Sequence, residues 1–410
     1  MTNNPQILGG LTTEEFFNDY WQQQPLVIRN ALFNLPELSA DELAGLALET
    51  EIESRLIIEH PATATWELFH GPLTVQQLQT VPSSHWTLLV QAVDHWEPAV
   101  HALLDHFDFL PRWRLDDIMV SFAADQGGVG PHYDNYDVFL LQTLGRRRWR
   151  IGQHCDDSTE LVTDAPLRLL KDFEQHVEYL LEPGDILYLP PRVAHWGIAE
   201  GDCMTYSIGF RAPTAIELLD DLATELLADP ELKTAPFTDP PLDTRPANGA
   251  IAPAYIDAVK NMLIAQLSDN TLLANWFARF MTARKYPELE LPGFDSKDSD
   301  TTTQNTPAQD WRAALTRGQL LGWHPASRCA VLNPQATPAP GGSATLLGAP
   351  MTTVLAVDGE LYQASPRLAG LMSKQRQFSA RDLIDLTASE TALLEQLLTQ
   401  GSLEMVDRNR

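Results

Sequence analysis

Residues 127–152 read GGVGPHYDNYDVFLLQTLGRRRWRIG, and this stretch decides the fold. Glycines 127, 128 and 130 open it, and no phosphate-loop lysine follows them. They predict a tight turn instead. His132 and Asp134 come next, then two β-rich runs, YDVFLLQTL and RRRWRIG. On a strand, residues two apart face the same way. The spacing therefore predicts an imidazole and a carboxylate converging on one point inside a barrel. The same character extends outward from Trp113 to Arg211, with DDIMVSFA before the stretch and DILYLPP and TYSIGFR after it. Short strands at regular spacing predict a barrel or sandwich.

A third ligand must come from elsewhere, and His195 in EPGDILYLPPRVAHWGI is the candidate. Pro183, Gly184 and Asp185 predict a turn, ILYL an apolar strand, and His195 the start of the next element. Two histidines and one carboxylate form the facial triad of non-haem Fe(II) sites. Three protein ligands on one face leave positions for a bidentate keto acid and for dioxygen. The absence of a CxxC pair disfavours structural zinc.

In RRRWRI, alternation puts Arg147, Trp149 and Ile151 on one face and Arg146, Arg148 and Arg150 on the other. If Trp149 and Ile151 face the core, so does Arg147, and a buried guanidinium needs a carboxylate. Two partners fit: a structural Asp or Glu of the barrel, or the distal carboxylate of 2-oxoglutarate in a bidentate fork. The outward arginines read as a solvated face. Ser121, in DDIMVSFAAD, either reaches that same carboxylate or is a strand-edge serine facing water. Tyr133, Tyr136 and Asp137 flank the ligands as candidates for touching a substrate side chain. The remaining histidines lack triad spacing, and the aromatic residues of 85–96 and 133–149 read mainly as core.

Toward the N-terminus, residues 11–22 predict a helix with a Thr12–Glu15 capping box, and PLVIRNAL a short strand. Residues 40–50 predict a helix, 86–92 a strand and Glu97–Leu104 a helical piece. Beyond Pro213, TAIELLDDLATELLADP is an amphipathic helix ended by proline. Residues 230–253 read as an extended connection, 254–285 as helical and 287–308 as a polar linker. Residues 309–410 mix helices with short strands, with Ser379 and a Thr387–Glu390 capping box as helix starts.

Composition bounds the function. The chain has 410 residues, 44% hydrophobic, enough for two or three domains with a sizeable core. It carries 28 basic and 55 acidic residues, net −27. Such a chain should not coat nucleic acid, whereas a basic protein would be attracted. No stretch approaches the roughly 20 apolar residues of a membrane span, and the first ten residues read as no signal peptide. Three scattered cysteines (155, 203, 329) fit a reducing cytoplasm.

GPHYDNYDVFLLQTLGRRRWRIG, LEPGDILYLPPRVAHWG and YSIGFRAP closely resemble the JmjC-type bacterial ribosomal oxygenases, as do FFNDYWQQQPLVIRNAL, DELAGLALETEIESRLI and WTLLVQAVDHW. The resemblance is strong over about residues 11–225 and weaker beyond. It implies an α+β chain with a double-stranded β-helix (cupin/JmjC jelly-roll) catalytic domain over residues 1–212. Residues 213–286 would be a helical dimerisation region, 287–308 the linker and 309–410 a winged-helix-like domain. His132, Asp134 and His195 match the family's iron ligands, Arg147 its 2-oxoglutarate arginine and Ser121 the serine that helps hold that cofactor. The wording most resembles the branch that uses dioxygen to hydroxylate the β-carbon of an arginine in a large-subunit ribosomal protein, releasing succinate and carbon dioxide. Such a cytoplasmic homodimer would bind neither membrane nor nucleic acid directly. Tyr133 and Asn135 depart from the family wording, and the C-terminal block departs most. Two rivals stay open: an oxygenase with another target (a histidyl or asparaginyl hydroxylase, or a demethylase), and a cupin that binds metal without turnover.

Overall fold

Three capping boxes set the start of the chain. In the computed structural model, which describes residues 6–228, 236–240, 249–289, 291, 311–332 and 353–406, α1 (Thr13–Asp19) is closed by Thr12 and Glu15, α2 (Ala40–Leu46) by Ser39 and Glu42, and α3 (Val75–Gln79) by Thr74 and Gln77. Each box satisfies two amides that a helix start would otherwise leave bare. Between these helices run β1 (Leu26–Ile28), β2 (Ser54–His60), β3 (Thr65–His70) and β4 (Trp86–Val90). The β2–β3 hairpin was not legible in the sequence. The helical piece after Glu97 is one short turn, α4 (Pro98–His101), continued by a 3-10 segment, Ala102–Phe107.

The centre is β5 (Leu115–Ala123), β6 (Val138–His154), β7 (Val177–Leu181), β8 (Ile186–Leu189) and β9 (Val193–Phe210). Runs read as separate in the sequence are fused: VFLLQTL and RRRWRIG lie in one 17-residue strand, and TYSIGF shares one 18-residue strand with the element that holds His195. All described pairings of this nine-stranded sheet are antiparallel, in the order β1-β8-β6-β9-β5-β4-β2-β3, with β7 on β6. The sheet is hydrophobic on both faces along β6. Phe139 and Leu141 enter a core with Phe16, Phe107, Tyr188 and Phe210, whereas Val138 and Leu140 join Trp149, Ile151, Leu187 and Leu189.

The β6–β9 pair slips register twice between Gln142 and Arg146. Gly145 sits in the slip at φ +59°, where an added Cβ would lie 2.0 Å from the Asp202 carbonyl oxygen. Only glycine tolerates both conditions. The slip reverses side-chain parity, so that even-numbered Val138 and Leu140 share a face with odd-numbered Trp149 and Ile151.

A second compact unit follows Ala212. It contains α5 (Ala215–Ala228), α6 (Pro253–Gln266) and α7 (Asn270–Thr282), the last two separated where Asp269 caps a new start. Then come α8 (Trp311–Thr316), β10 (Leu320–Trp323), β11 (Cys329–Leu332), β12 (Thr353–Val357), β13 (Glu360–Ala364), α9 (Pro366–Lys374), β14 (Gln377–Phe378), α10 (Ala388–Thr399) and β15 (Leu403–Val406). Two three-stranded sheets, β14-β10-β15 and β11-β12-β13, share one core of Trp311, Leu355, Phe378 and Leu394. The Thr387–Glu390 box caps α10 as expected, but Ser379 starts no helix. Its amide and hydroxyl bind Asp382 at 2.8 and 2.6 Å, closing a turn. The stretch 230–253 and the linker 287–308 lie largely outside the described residues. No described helix is long and apolar enough to cross a membrane.

Candidate active site

The turn opened by the three glycines delivers the first two predicted ligands, although not on a strand. His132 and Asp134 precede β6 and are not strand residues. What fixes them is pairing to β9: His132 and His195 exchange backbone hydrogen bonds at 3.0 and 2.8 Å, and the Arg192 amide donates to the Asp134 carbonyl at 2.6 Å. The expected convergence holds for a different reason, since an isolated bridge replaces strand alternation. His195 is the third residue of β9 rather than a residue at its edge.

His132, Asp134 and His195 bring ligand atoms to within 4.8 Å of one another, the His195 Nε2 lying 3.7 Å from an Asp134 oxygen. Each imidazole is oriented by its other nitrogen. His132 Nδ1 donates to the Gly130 carbonyl and His195 Nδ1 to the Val193 carbonyl, both at 2.9 Å. With the proton on Nδ1, both Nε2 lone pairs point away from the backbone, as metal ligation requires. Burial, followed by the neighbouring His132, pushes His195 down to about 4. It is neutral at pH 7 and ready to ligate.

Arg147 faces inward with Trp149 and Ile151, as alternation predicts, and is 3% exposed. Among the described residues no carboxylate pairs with it, which removes the structural salt bridge as its explanation. Its partners are neutral: Nη1 donates to Ser121 Oγ at 3.2 Å and Thr205 Oγ1 at 3.5 Å, and Nη2 to the Gly197 carbonyl at 3.4 Å. Nε is buried with no acceptor. Burial lowers the guanidinium from its ordinary value, the sign of a charge short of counter-charge. The indole of Trp149 lies beside it, ring centre 5.0 Å from Cζ. Gly197 completes the cradle, because a Cβ there would lie 2.6 Å from Nε and 2.7 Å from the Trp149 ring.

Ser121 is not a water-facing edge serine. It sits mid-sheet on β5, 3% exposed, with its hydroxyl on the guanidinium. The outward arginines are not simply solvated either. Arg148 pairs with Glu178 at 2.6 Å and with Glu200, Arg150 with Glu178 at 3.1 Å and Arg146 with Glu200 at 3.7 Å.

Asp137 is fully buried and structural. It accepts from the Tyr188 hydroxyl at 2.7 Å and the Gln22 amide at 3.0 Å, tying the segment after α1 to the sheet. Of the other flanking residues, Tyr136 is 40% exposed and Tyr133 packs against Cys155, Leu170 and Ala194. Sequence reasoning missed Gly197, Thr205 and Gln142. The signal for Gly197 was its place two residues after His195 in HWG, where a strand gains nothing from a glycine unless something approaches it. Thr205 and Gln142 carried no signal without the β6–β9 register.

This arrangement can do two things at once. Two imidazoles and an acid on one side of a point can hold a divalent cation with open positions. A buried, uncompensated guanidinium among neutral donors and acceptors takes the far end of a small dicarboxylate.

Comparison with known proteins agrees. The JmjC domain family matches residues 102–218. The chain is 38% identical to the ribosomal protein uL16 3-hydroxylase of Escherichia coli (strain K12), over 68% of this chain and 74% of that protein. It is also 38% identical to a probable ribosomal oxygenase of Haemophilus influenzae, over 68% and 71% of the two chains. The structure of the Escherichia coli ribosomal oxygenase YcfD in complex with cobalt and 2-oxoglutarate superposes with a TM-score of 0.76, at 31% identity, over 97% of this chain and 98% of that one. The cupin-like JmjC fold predicted for the β-rich core is thereby established, and the chain belongs to the JmjC-domain ribosomal oxygenases.

Proposed function

We propose that this chain is an Fe(II)- and 2-oxoglutarate-dependent protein hydroxylase that modifies the β-carbon of an arginine in a large-subunit ribosomal protein. The observation that carries this reading is Arg147, a buried cation with no carboxylate partner among the described residues, beside a two-histidine, one-carboxylate cluster. His132, Asp134 and His195 would hold the metal, and Arg147 with Ser121 the far carboxylate of 2-oxoglutarate. When bound, iron, 2-oxoglutarate and dioxygen together supply the oxidising chemistry that turns a C–H bond into C–OH, releasing succinate and carbon dioxide. The chain's own work is positioning and exclusion of water. The His132 and His195 Nδ1 bonds fix the ligating tautomer, Trp149 packs against the buried guanidinium, and Gly197 leaves it room.

The target class rests on the relative named for uL16 hydroxylation and on charge, since a net −27 surface attracts a basic substrate. The same charge argues against direct nucleic-acid binding. We assign residues 1–212 to the catalytic domain, 287–308 to the linker and 309–410 to a winged-helix-like domain, the last supported by α8–α10 with two small sheets. Residues 213–286 suit a homodimer. On α5 Ile216 (74% exposed), Leu219 and Leu227 (87%) stand bare, and on α6 so do Ile256, Val259 and Leu263. These apolar rows, spaced three, four or eight residues apart along their helices, gain by burial against a second copy. A ribosomal-protein substrate suits a cytoplasmic enzyme, and no described helix is long and apolar enough to cross a membrane.

The test is a panel of arginine-containing peptides from basic large-subunit ribosomal proteins, uL16 among them, incubated with the protein, Fe(II), 2-oxoglutarate and air. A +16 Da shift on one arginine, abolished by His132→Ala, is expected. A shift on histidine or asparagine would move the target, and metal binding without succinate formation would replace the enzyme by a silent module.

A further inference from the structure

Behind the guanidinium stands a second row of polar groups that the reaction itself does not call for. Gln142 and Thr205 are direct partners across the β6–β9 pair, and both are buried to 1% exposure or less. The register slip at Gly145 turns Gln142 toward the face that Arg147 also occupies.

The hydrogens in this row are all committed. Gln142 Nε2 donates to the Leu144 carbonyl at 2.7 Å, which turns Oε1 toward Thr205. The Thr205 hydroxyl donates to that oxygen at 2.9 Å. A threonine hydroxyl has one hydrogen. With it spent on Gln142, Thr205 offers Arg147 lone pairs only, and Arg147 Nη1 donates to it. Ser121 is treated alike: its hydrogen goes to the Thr205 carbonyl at 3.2 Å, and its lone pair receives Nη1. Nη1 is therefore clamped between two hydroxyls of fixed polarity, while Nε keeps no acceptor.

We propose that Gln142 and Thr205 are positioning residues for the dicarboxylate cosubstrate, the Gln142 amide polarising the Thr205 hydroxyl into an acceptor that, with Ser121, sets the orientation in which Arg147 meets the carboxylate. The proposal rests on the 2-oxoglutarate reading above. The neutrality of the relay matters. A carboxylate at position 142 would carry into the pocket the counter-charge that the cosubstrate is meant to supply. The relay acts through Arg147 and touches no reacting atom, so it governs the cosubstrate's affinity rather than the chemical step.

The experiment is calorimetric titration of 2-oxoglutarate into the Mn(II)-loaded full-length protein without oxygen, with Mn(II) affinity read separately by electron paramagnetic resonance. Thr205→Val keeps shape and removes the hydroxyl. It is expected to raise the 2-oxoglutarate Kd about fivefold to tenfold, the loss of one ordinary intramolecular hydrogen bond, since the Arg147–Thr205 contact is long at 3.5 Å. Mn(II) affinity stays the same, and Thr205→Ser restores binding to about twofold of the parent. In steady state the KM for 2-oxoglutarate rises while kcat holds. Gln142→Met, which frees the Thr205 hydrogen, moves Kd the same way by a smaller factor, and it decides the matter if Thr205→Val does not fold. Unchanged 2-oxoglutarate binding in either folded variant, or equal loss of Mn(II) and 2-oxoglutarate, overturns the relay. Absence of saturable binding by the parent protein, or undiminished binding by Arg147→Met, overturns the site itself, a different result from failure of the relay alone.

Discussion

The two faces of β6 carry the same residue to opposite ends. Arg146, Arg148 and Arg150 point outward and pair with Glu178 and Glu200, whereas Arg147 points inward and, among the described residues, meets two hydroxyls, a carbonyl and the Trp149 indole but no carboxylate. The outward set is partly exposed and fully paired, so it accounts for itself as sheet surface. The inward residue lacks counter-charge where counter-charge matters most, and that deficit points to a ligand. An arginine is informative in proportion to how buried and how poorly matched it is, not to how many neighbours it has.

The largest effect follows from removing the inward charge. Arg147→Met should weaken 2-oxoglutarate binding by about 100-fold or more, because the cosubstrate's carboxylate is then buried unpaired. Thermal melting of the unliganded variant should show no loss of stability, since an uncompensated buried cation has gone. A destabilised protein that still binds would erase the contrast between the faces. Next is Gly197→Ala, whose methyl meets Arg147 Nε and the Trp149 ring. It should cost about 1–3 kcal/mol in chemical denaturation and weaken the cosubstrate about tenfold by displacing the guanidinium. Ser121→Ala is milder, at about 1 kcal/mol of cosubstrate affinity in the same titration, or about fivefold.

The smallest effect belongs to the outward face. Arg148→Met should leave 2-oxoglutarate binding within error and lower the melting temperature only slightly. Its signature is in pH. A hydrogen bond from Arg148, before any other cause, holds the Glu178 carboxyl below its ordinary value of 4.5. The folded pKa is depressed, so this pair stabilises the protein above about 4.5 and the contribution fades as pH falls through the lowered value. Melting curves between pH 3 and pH 7 should show a shallower acid-side fall in Arg148→Met than in the parent. A change in 2-oxoglutarate affinity would blur the distinction between the faces.

Much of the site was legible because its signals are local. The period-two alternation of Arg147, Trp149 and Ile151 predicted an inward guanidinium, and the HxD pair with a later histidine predicted the cluster that the backbone bridge assembles. The capping boxes at Thr12 and Thr387 were legible for the same reason, each lying within four residues. What was hidden is long-range. The slip at Gly145 reverses parity along β6, so Gln142 and Arg147 share a face that strict alternation would deny them. Thr205 lies 58 residues from Arg147 and meets it only through the β6–β9 register. Ser379 misled because the serine-to-aspartate pattern that caps helices also closes turns. The partners of the outward arginines, Glu178 and Glu200, come from two other strands and could not be assigned before the pairing was known.

The most direct test is a crystal structure of the protein grown without oxygen with Mn(II) and 2-oxoglutarate, the metal located by its anomalous signal. The expected result is one metal about 2.0–2.3 Å from the Nε2 atoms of His132 and His195 and from an Asp134 oxygen, with the far carboxylate on Arg147 and Ser121. A metal bound elsewhere, or a dicarboxylate resting on Arg146, Arg148 or Arg150 with Arg147 left unpaired, would contradict the account.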